Sequence, residues 1–174
     1  MIVCGGVSCS GWTLIRAIAA MDMQVRKERK MDLQDCVTFA SEHPVCQLAT
    51  IDGDQARVRN VLMWHANETG FYFITLSPKA MSKQLQANPK VELCFYNNSA
   101  DLMDATQLRV TGRVELLEDE ETLARAYEAR AFLDDIAGQP TKPLVQPFRI
   151  STGEAHFWTM ADVLREPQLE RITF

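Results

Sequence analysis

VCQLATIDGDQARVRNVLMWHA, residues 45–66, is the stretch on which the fold turns. Residues 45–51 form an apolar, strand-like run. Asp52-Gly53-Asp54 then reads as a hairpin turn, because Asp-Gly tolerates the positive φ values that tight hairpins need. Residues 56–66 return as a second strand. Its alternation sets Val58, Asn60, Leu62 and Trp64 on one face and Arg57, Arg59, Val61 and Met63 on the other. Two strands joined this tightly must pair antiparallel.

The same logic extends in both directions. Upstream, Leu33, Cys36, Val37 and Ala40 recur at helical spacing, Asp32 can cap the start, and Pro44 ends the helix at His43. Downstream, residues 67–70 make a turn and GFYFITL, 70–76, a third strand. SPKAMSKQLQANP, 77–89, reads as a helix with Ser77 at its N-cap, Pro78 at its first position and Asn88-Pro89 at its stop. KVELCFYN (90–97) and QLRVTGRVELL (107–117) are strands, with Gly112 marking a bulge or close approach. Residues 118–135 form an amphipathic helix with an acidic start, followed by a Gly/Pro-rich loop over 138–143. PFRIS, EAHFWTM and LERITF close the chain as strands. Short antiparallel strands with about three peripheral helices describe a mainly β fold, a barrel rather than a parallel α/β sheet.

The chain has 174 residues, enough for one domain with a real core, and shows no internal repeat or linker. Its formal net charge of −5 argues against a broad nucleic-acid-binding surface, so an anionic ligand would need a local positive pocket. No apolar run is long enough to span a bilayer. The cysteines, Cys4, Cys9, Cys36, Cys46 and Cys94, form no C-x-x-C pair and read as free thiols in a reducing cytoplasm. Residues 1–30 read as an N-terminal extension, disordered or preceding a later start at Met21, Met23 or Met31, with the barrel domain over 31–174. Arg16 and the basic run over 26–30 distinguish this stretch from an export signal.

No Gly-rich nucleotide loop and no H-E-x-x-H motif is present, and His43, His65 and His156 are scattered and read as structural. Cations and hydroxyls concentrate instead around two strands and a helix start: Arg57, Arg59, Thr75, Ser77, Lys79, Ser82 and Lys83. A helix N-terminus offers unpaired N–H groups and a favourable dipole to an anion. Two readings stay open: a phosphate cradle, or a solvated helix face with Arg57 and Arg59 in surface ion pairs.

LATIDGDQARVR, KQLQANPKVEL and LRVTGRVEL, in this order, resemble the pyridoxamine 5′-phosphate oxidase-like flavoproteins over roughly residues 33–158. The likeness is greatest to the short flavin-binding branch akin to general-stress and nitroimidazole-resistance-type proteins. The resemblance implies an antiparallel split β-barrel of the FMN-binding type, a homodimer with FMN at the subunit interface, and an oxidoreductase with a nicotinamide electron donor. It implies that Arg59 holds the FMN phosphate, that Asn60 and Val61 face the isoalloxazine, and that Thr75 lies near the ribityl-phosphate side. Ser77, Lys79 and Lys83 fall in the basic helix start, Gln107 matches a glutamine given by the partner subunit, and Trp158 matches an aromatic motif of the oxidase. Ala80 and Met81 occupy positions that are basic in the oxidase, and Trp64 stands where it has a lysine. The closing REPQLERITF lacks the oxidase's histidine-containing segment. FMN binding is therefore expected without pyridoxamine phosphate oxidation, and no residue is named catalytic. The alternatives are a non-enzymatic flavin-binding or sensory protein, or a split barrel that binds haem, through His65 or His156, or a deazaflavin. Val61, Met63, Leu108 and Val110 read as surplus apolar strand surface that a second copy would cover.

Overall fold

In the computed structural model, which describes residues 30–174, the chain enters on helix α1 (Leu33–Glu42). Asp32 caps it reciprocally: its carboxylate accepts from the Asp35 N–H, and that of Asp35 from the Asp32 N–H. Cys36, Val37 and Ala40 form the buried stripe that the 3.6-residue period requires. The N-terminal extension expected over 1–30, with Cys4 and Cys9, lies outside the described residues apart from Lys30.

Strands β1 (Val45–Asp52) and β2 (Gln55–Leu62) form the expected hairpin around Gly53, whose φ is 67°. β3 (His65–Asn67), β4 (Gly70–Leu76), β5 (Lys90–Tyr96), β6 (Thr106–Leu116), β7 (Val145–Thr159) and β8 (Ile172–Thr173) follow. Helix α2 (Ala80–Ala87) joins β4 to β5, and helices α3 (Glu120–Glu128) and α4 (Leu133–Ala137) lie between β6 and β7. The sheet runs β2-β1-β5-β6-β7-β4-β3 with β8 added to β7, and its pairs are antiparallel.

The two ends of that path are neighbours in sequence, joined only by Met63 and Trp64. The Met63 N–H donates to the Pro44 carbonyl (2.9 Å) and the Trp64 N–H to the Tyr72 carbonyl (3.0 Å). This link stitches one sheet edge to the other, so the sheet curls on itself. β2 and β4 face each other at the join without pairing, and the result is an antiparallel split barrel with peripheral helices, as expected. The buried rows of β1, β4, β5, β6 and β7 fill it, with Phe73 stacked on Phe148 at 5.4 Å. Among the described residues no helix is long and apolar enough to cross a membrane.

Five local expectations need correction. Residues 56–66 are two strands, because the chain must leave one sheet edge for the other at Met63-Trp64. PFRIS and EAHFWTM are a single strand, β7, that bends past a register shift between Gly112 and Val114. The amphipathic segment breaks between α3 and α4, where the Arg130 N–H bonds Tyr127 O and the Leu133 N–H bonds Arg130 O in short turns. Helix α2 begins at Ala80 behind Lys79, so Ser77 is not its cap nor Pro78 its first residue: the two form the preceding turn, which the Lys79 N–H closes on the Leu76 carbonyl at 3.0 Å. Finally, Met63, Leu108 and Val110 are not surplus surface; they are buried within this chain's own core, and Val61 is half-buried.

Candidate functional site

Two inward-facing rows end on a threonine. In β1 the buried series is Cys46, Leu48, Thr50, and in β4 it is Phe71, Phe73, Thr75. Strand alternation puts each series on one face, so a polar group occupies what would otherwise be a core position. Thr75 lies at the split between β2 and β4, where a cleft of about 480 Å³ opens. That volume is within the range of small-molecule sites. β2 lines the cleft with Arg59, Asn60, Val61 and Leu62, and β4 with Ile74, Thr75 and Leu76. The start of α2 contributes Lys79, Ala80 and Met81, and the turn into α4 contributes Arg130, Phe132 and Leu133.

Arg59 is the fixed cation of this cleft. Its Nη1 donates to Thr50 Oγ1 at 2.5 Å and its Nη2 to Gln84 Oε1 at 2.7 Å. Thr50 Oγ1 in turn donates to the same Gln84 oxygen at 2.7 Å. Among the described residues no carboxylate pairs with Arg59, and none lines the cleft. Burial, with the neighbouring Arg57 charge adding to it, pushes the Arg59 pKa below its ordinary value. A guanidinium keeps its proton at neutral pH all the same, so a positive charge is held partly out of water with no counter-ion among the described residues. Burial likewise lowers the Arg130 pKa.

Thr75 adds an orphan. The residue is 2% exposed, and its Oγ1 is buried without a hydrogen-bond partner. A buried hydroxyl left unpaired costs about 1–3 kcal/mol, a cost that a ligand able to accept or donate there would remove. Helix α2 also opens without a side-chain cap, and its N-cap Lys79 and first residues Ala80 and Met81 line the cleft.

Of the residues singled out from sequence, Arg59, Asn60, Val61, Thr75 and Lys79 line the cleft together. Ser77, Lys83, Gln107 and Trp158 do not. Lys83 lies on the exposed side of α2, whose buried side carries Ser82, Gln84 and Leu85. Ser82 donates to Gln146 Oε1 at 2.5 Å. Arg57 is diverted to Asp52 at 3.3 Å, a surface ion pair. Gln107 accepts from Arg109 and is paired in register with Trp158, over whose ring the Arg109 guanidinium sits at 5.5 Å. Arg109 is further held by Glu166. Neither His65 nor His156 lines the cleft.

Sequence reasoning missed Thr50, Gln84 and the α3–α4 turn. Thr50 had a signal, a polar residue at an inward position of an alternating strand. Gln84 had one as well: it lies one residue before Leu85 on the buried face of a short helix. Nothing local marks Arg130, because it reaches the cleft only through the break after α3.

Residues 33–159 match the family model described as pyridoxamine 5′-phosphate oxidase. A curated relative, the pyridoxine/pyridoxamine 5′-phosphate oxidase of Brucella ovis, is 30% identical over 128 residues, 69% of this chain and 59% of the relative. The chain thus spans about three-fifths of the length of that relative. Among solved structures, a NimC/NimA family protein from Clostridium acetobutylicum superposes with a TM-score of 0.63 at 24% identity, covering 82% of this chain and 93% of that one. An FAD-binding protein from Mesorhizobium loti gives 0.55 at 17% identity, covering 73% and 93%. At these identities the two structures speak for the fold.

Proposed function

The chain belongs to the pyridoxamine 5′-phosphate oxidase-like split-barrel family, and from that premise we propose that it is a flavoprotein, an oxidoreductase that holds FMN in the cleft between β2 and β4. The observation that carries this reading is the charge of Arg59, which no carboxylate meets among the described residues, in one cleft with the unpaired hydroxyl of Thr75. A phosphate monoester meets both needs: its anionic oxygens accept from a guanidinium and from a hydroxyl. Lys79 and Arg130 add two more cations at the same cleft, and Val61, Leu62, Ile74, Met81 and Phe132 supply apolar walls. When bound, FMN supplies reversible hydride and electron chemistry. The chain's own residues orient the cofactor, fix its phosphate and limit access to it. Asn60 and Val61, which line the cleft from β2, are the residues that would align the ring. Ser77, Lys83, Gln107 and Trp158 do not line this cleft; of these, Gln107 is the residue that the family resemblance assigns to a second copy of the chain. The substrate is a small molecule, reduced or oxidised with a nicotinamide cofactor as partner. Trp64 stands in place of the oxidase's lysine, so vitamin B6 phosphate is not the proposed substrate. Haem is disfavoured because neither candidate axial histidine lines the cleft.

A fluorescence titration tests the reading. FMN is expected to bind stoichiometrically and more tightly than riboflavin, which lacks the phosphate. Arg59→Ala should weaken FMN by about 1.5–3 kcal/mol, the size of charge-assisted hydrogen bonds. Equal affinity for riboflavin and FMN, or an Arg59→Ala change below about threefold, would remove the phosphate from this cleft.

A further inference from the structure

We infer that Gln84, with Thr50, is a positioning residue that fixes the Arg59 guanidinium through neutral oxygens alone, and so keeps its charge available for the ligand's anionic group. The inference rests on the cofactor reading above and deepens it. The three side chains form a closed triangle: Arg59 to Thr50 at 2.5 Å, Arg59 to Gln84 at 2.7 Å, Thr50 to Gln84 at 2.7 Å. Thr50 is 1% and Gln84 7% exposed, so both acceptors are buried and held by packing. They come from different elements, β1 and α2, which pins the guanidinium from two directions.

The chemistry of the acceptors matters more than their number. Buried arginines usually meet a carboxylate, and an Asp or Glu at either position would orient Arg59 equally well. It would also cancel the charge that an incoming phosphate is to meet. An amide oxygen and a hydroxyl orient without cancelling. Two of the five guanidinium N–H donors are spent on the clamp, which leaves three uncommitted among the described residues. Pre-orientation removes the side-chain ordering that a free arginine would undergo on binding. The neutrality of Gln84 is thus a specificity determinant for an anionic over a neutral ligand.

The test compares FMN with riboflavin in the full chain. Gln84→Glu keeps the shape and the contact but adds a carboxylate. It should weaken FMN by at least about tenfold, leave riboflavin within about twofold, and leave the melting temperature unchanged or raised. Thr50→Val removes one acceptor without adding charge; it should weaken FMN by about threefold, again sparing riboflavin. Gln86→Glu, which places the same charge on the exposed side of α2, should change neither. If Gln84→Glu does not fold, Thr50→Val decides alone. Gln84→Glu or Thr50→Val binding FMN as tightly as the wild type, while Arg59→Ala loses it, overturns the inference and leaves the cofactor reading standing. Equal loss of FMN and riboflavin overturns it too, because the pair would then only hold the cleft's shape. A wild-type chain that binds neither flavin overturns the cofactor reading and the inference together.

Discussion

At the scale of single residues, the barrel treats its polar groups in two ways. Arg59 is given oriented neutral partners and left charged, whereas His156 is denied a charge. His156 is buried, with Nδ1 against the Arg171 guanidinium and Nε2 without a partner. An Nδ1 that accepts from an arginine belongs to a neutral ring. Burial first, then the Arg171 and Arg109 charges, lower its pKa, outweighing Glu166 and Glu154. The sign of the linkage follows. The unfolded chain takes up this proton near the ordinary histidine value of about 6.5, and the folded chain only at lower pH. The contribution of His156 to stability is therefore complete above about pH 6.5 and is lost as the pH falls through the lower folded value. Denaturant melts at pH 7.5 and 5.0 should show a smaller loss on acidification for His156→Leu than for the wild type. An equal loss in the two proteins would mean that the ring takes up its proton as readily in the fold as in the unfolded chain.

Among the elements, β7 carries the most strain on sequence choice, since it serves as partner to β6, β4 and β8. It can do so only by bending where the register with β6 shifts after Gly112. Gly153 lies directly opposite, and a Cβ there would stand 2.0 Å from the Thr111 carbonyl oxygen and 2.9 Å from the Gly112 Cα. Both obstacles are backbone, which cannot swing aside as a side chain can. Gly153→Ala should therefore destabilise by about 3 kcal/mol, the upper end of the overpacking range. A loss in chemical denaturation below about 1 kcal/mol would show that the bulge relaxes freely. The alternation of residues 107–117 and the odd Gly112 made the bulge legible in sequence. That PFRIS and EAHFWTM would run on as one strand was not, because Ser151 to Gly153 carry turn-like residues whose extended course is set by β6 and β8.

For the whole molecule, the outside of the β1–β2 hairpin carries exposed apolar side chains. β2 is the end of the sheet path, and Val58 on its outer face is 65% exposed, with Val45 and Leu62 also exposed. Val45 and Leu62 are cross-strand partners, so their apolar surface spans both strands, with the Gln47–Asn60 pair between it and Val58. Leu62 borders the cleft as well. A second copy packed on this face across a two-fold axis would hide the patch and wall the cleft at once. The dimer proposed on the family resemblance thus gains a different basis from Leu108 and Val110, which are spent on the core. Light scattering with FMN present should give a dimeric mass at micromolar concentration, and Val58→Asp should shift it toward the monomer. A monomeric wild type, or a Val58→Asp protein that stays fully dimeric, would move the interface elsewhere.

The sequence by itself determined what depends on near neighbours. Alternation and Asp-Gly chemistry set the β1–β2 hairpin, helical spacing and Asp32 set α1, and Arg59 to Val61 with Thr75 and Lys79, singled out along the chain, line one cleft together. Each of these is encoded within a few residues of itself. Tertiary structure decided the rest, because its causes lie far apart in the chain. Only closure of the barrel through Met63 and Trp64 separates the cleft residues of β2 from β3. Only the break after α3 brings Arg130 to the cleft. And only the packing of α2 against β1 sets Gln84 and Thr50 on Arg59, 25 and 9 residues apart in sequence. That contact makes an exposed-looking arginine into an oriented, uncancelled charge, since spacing along a chain says nothing about which neutral oxygens will meet it in space.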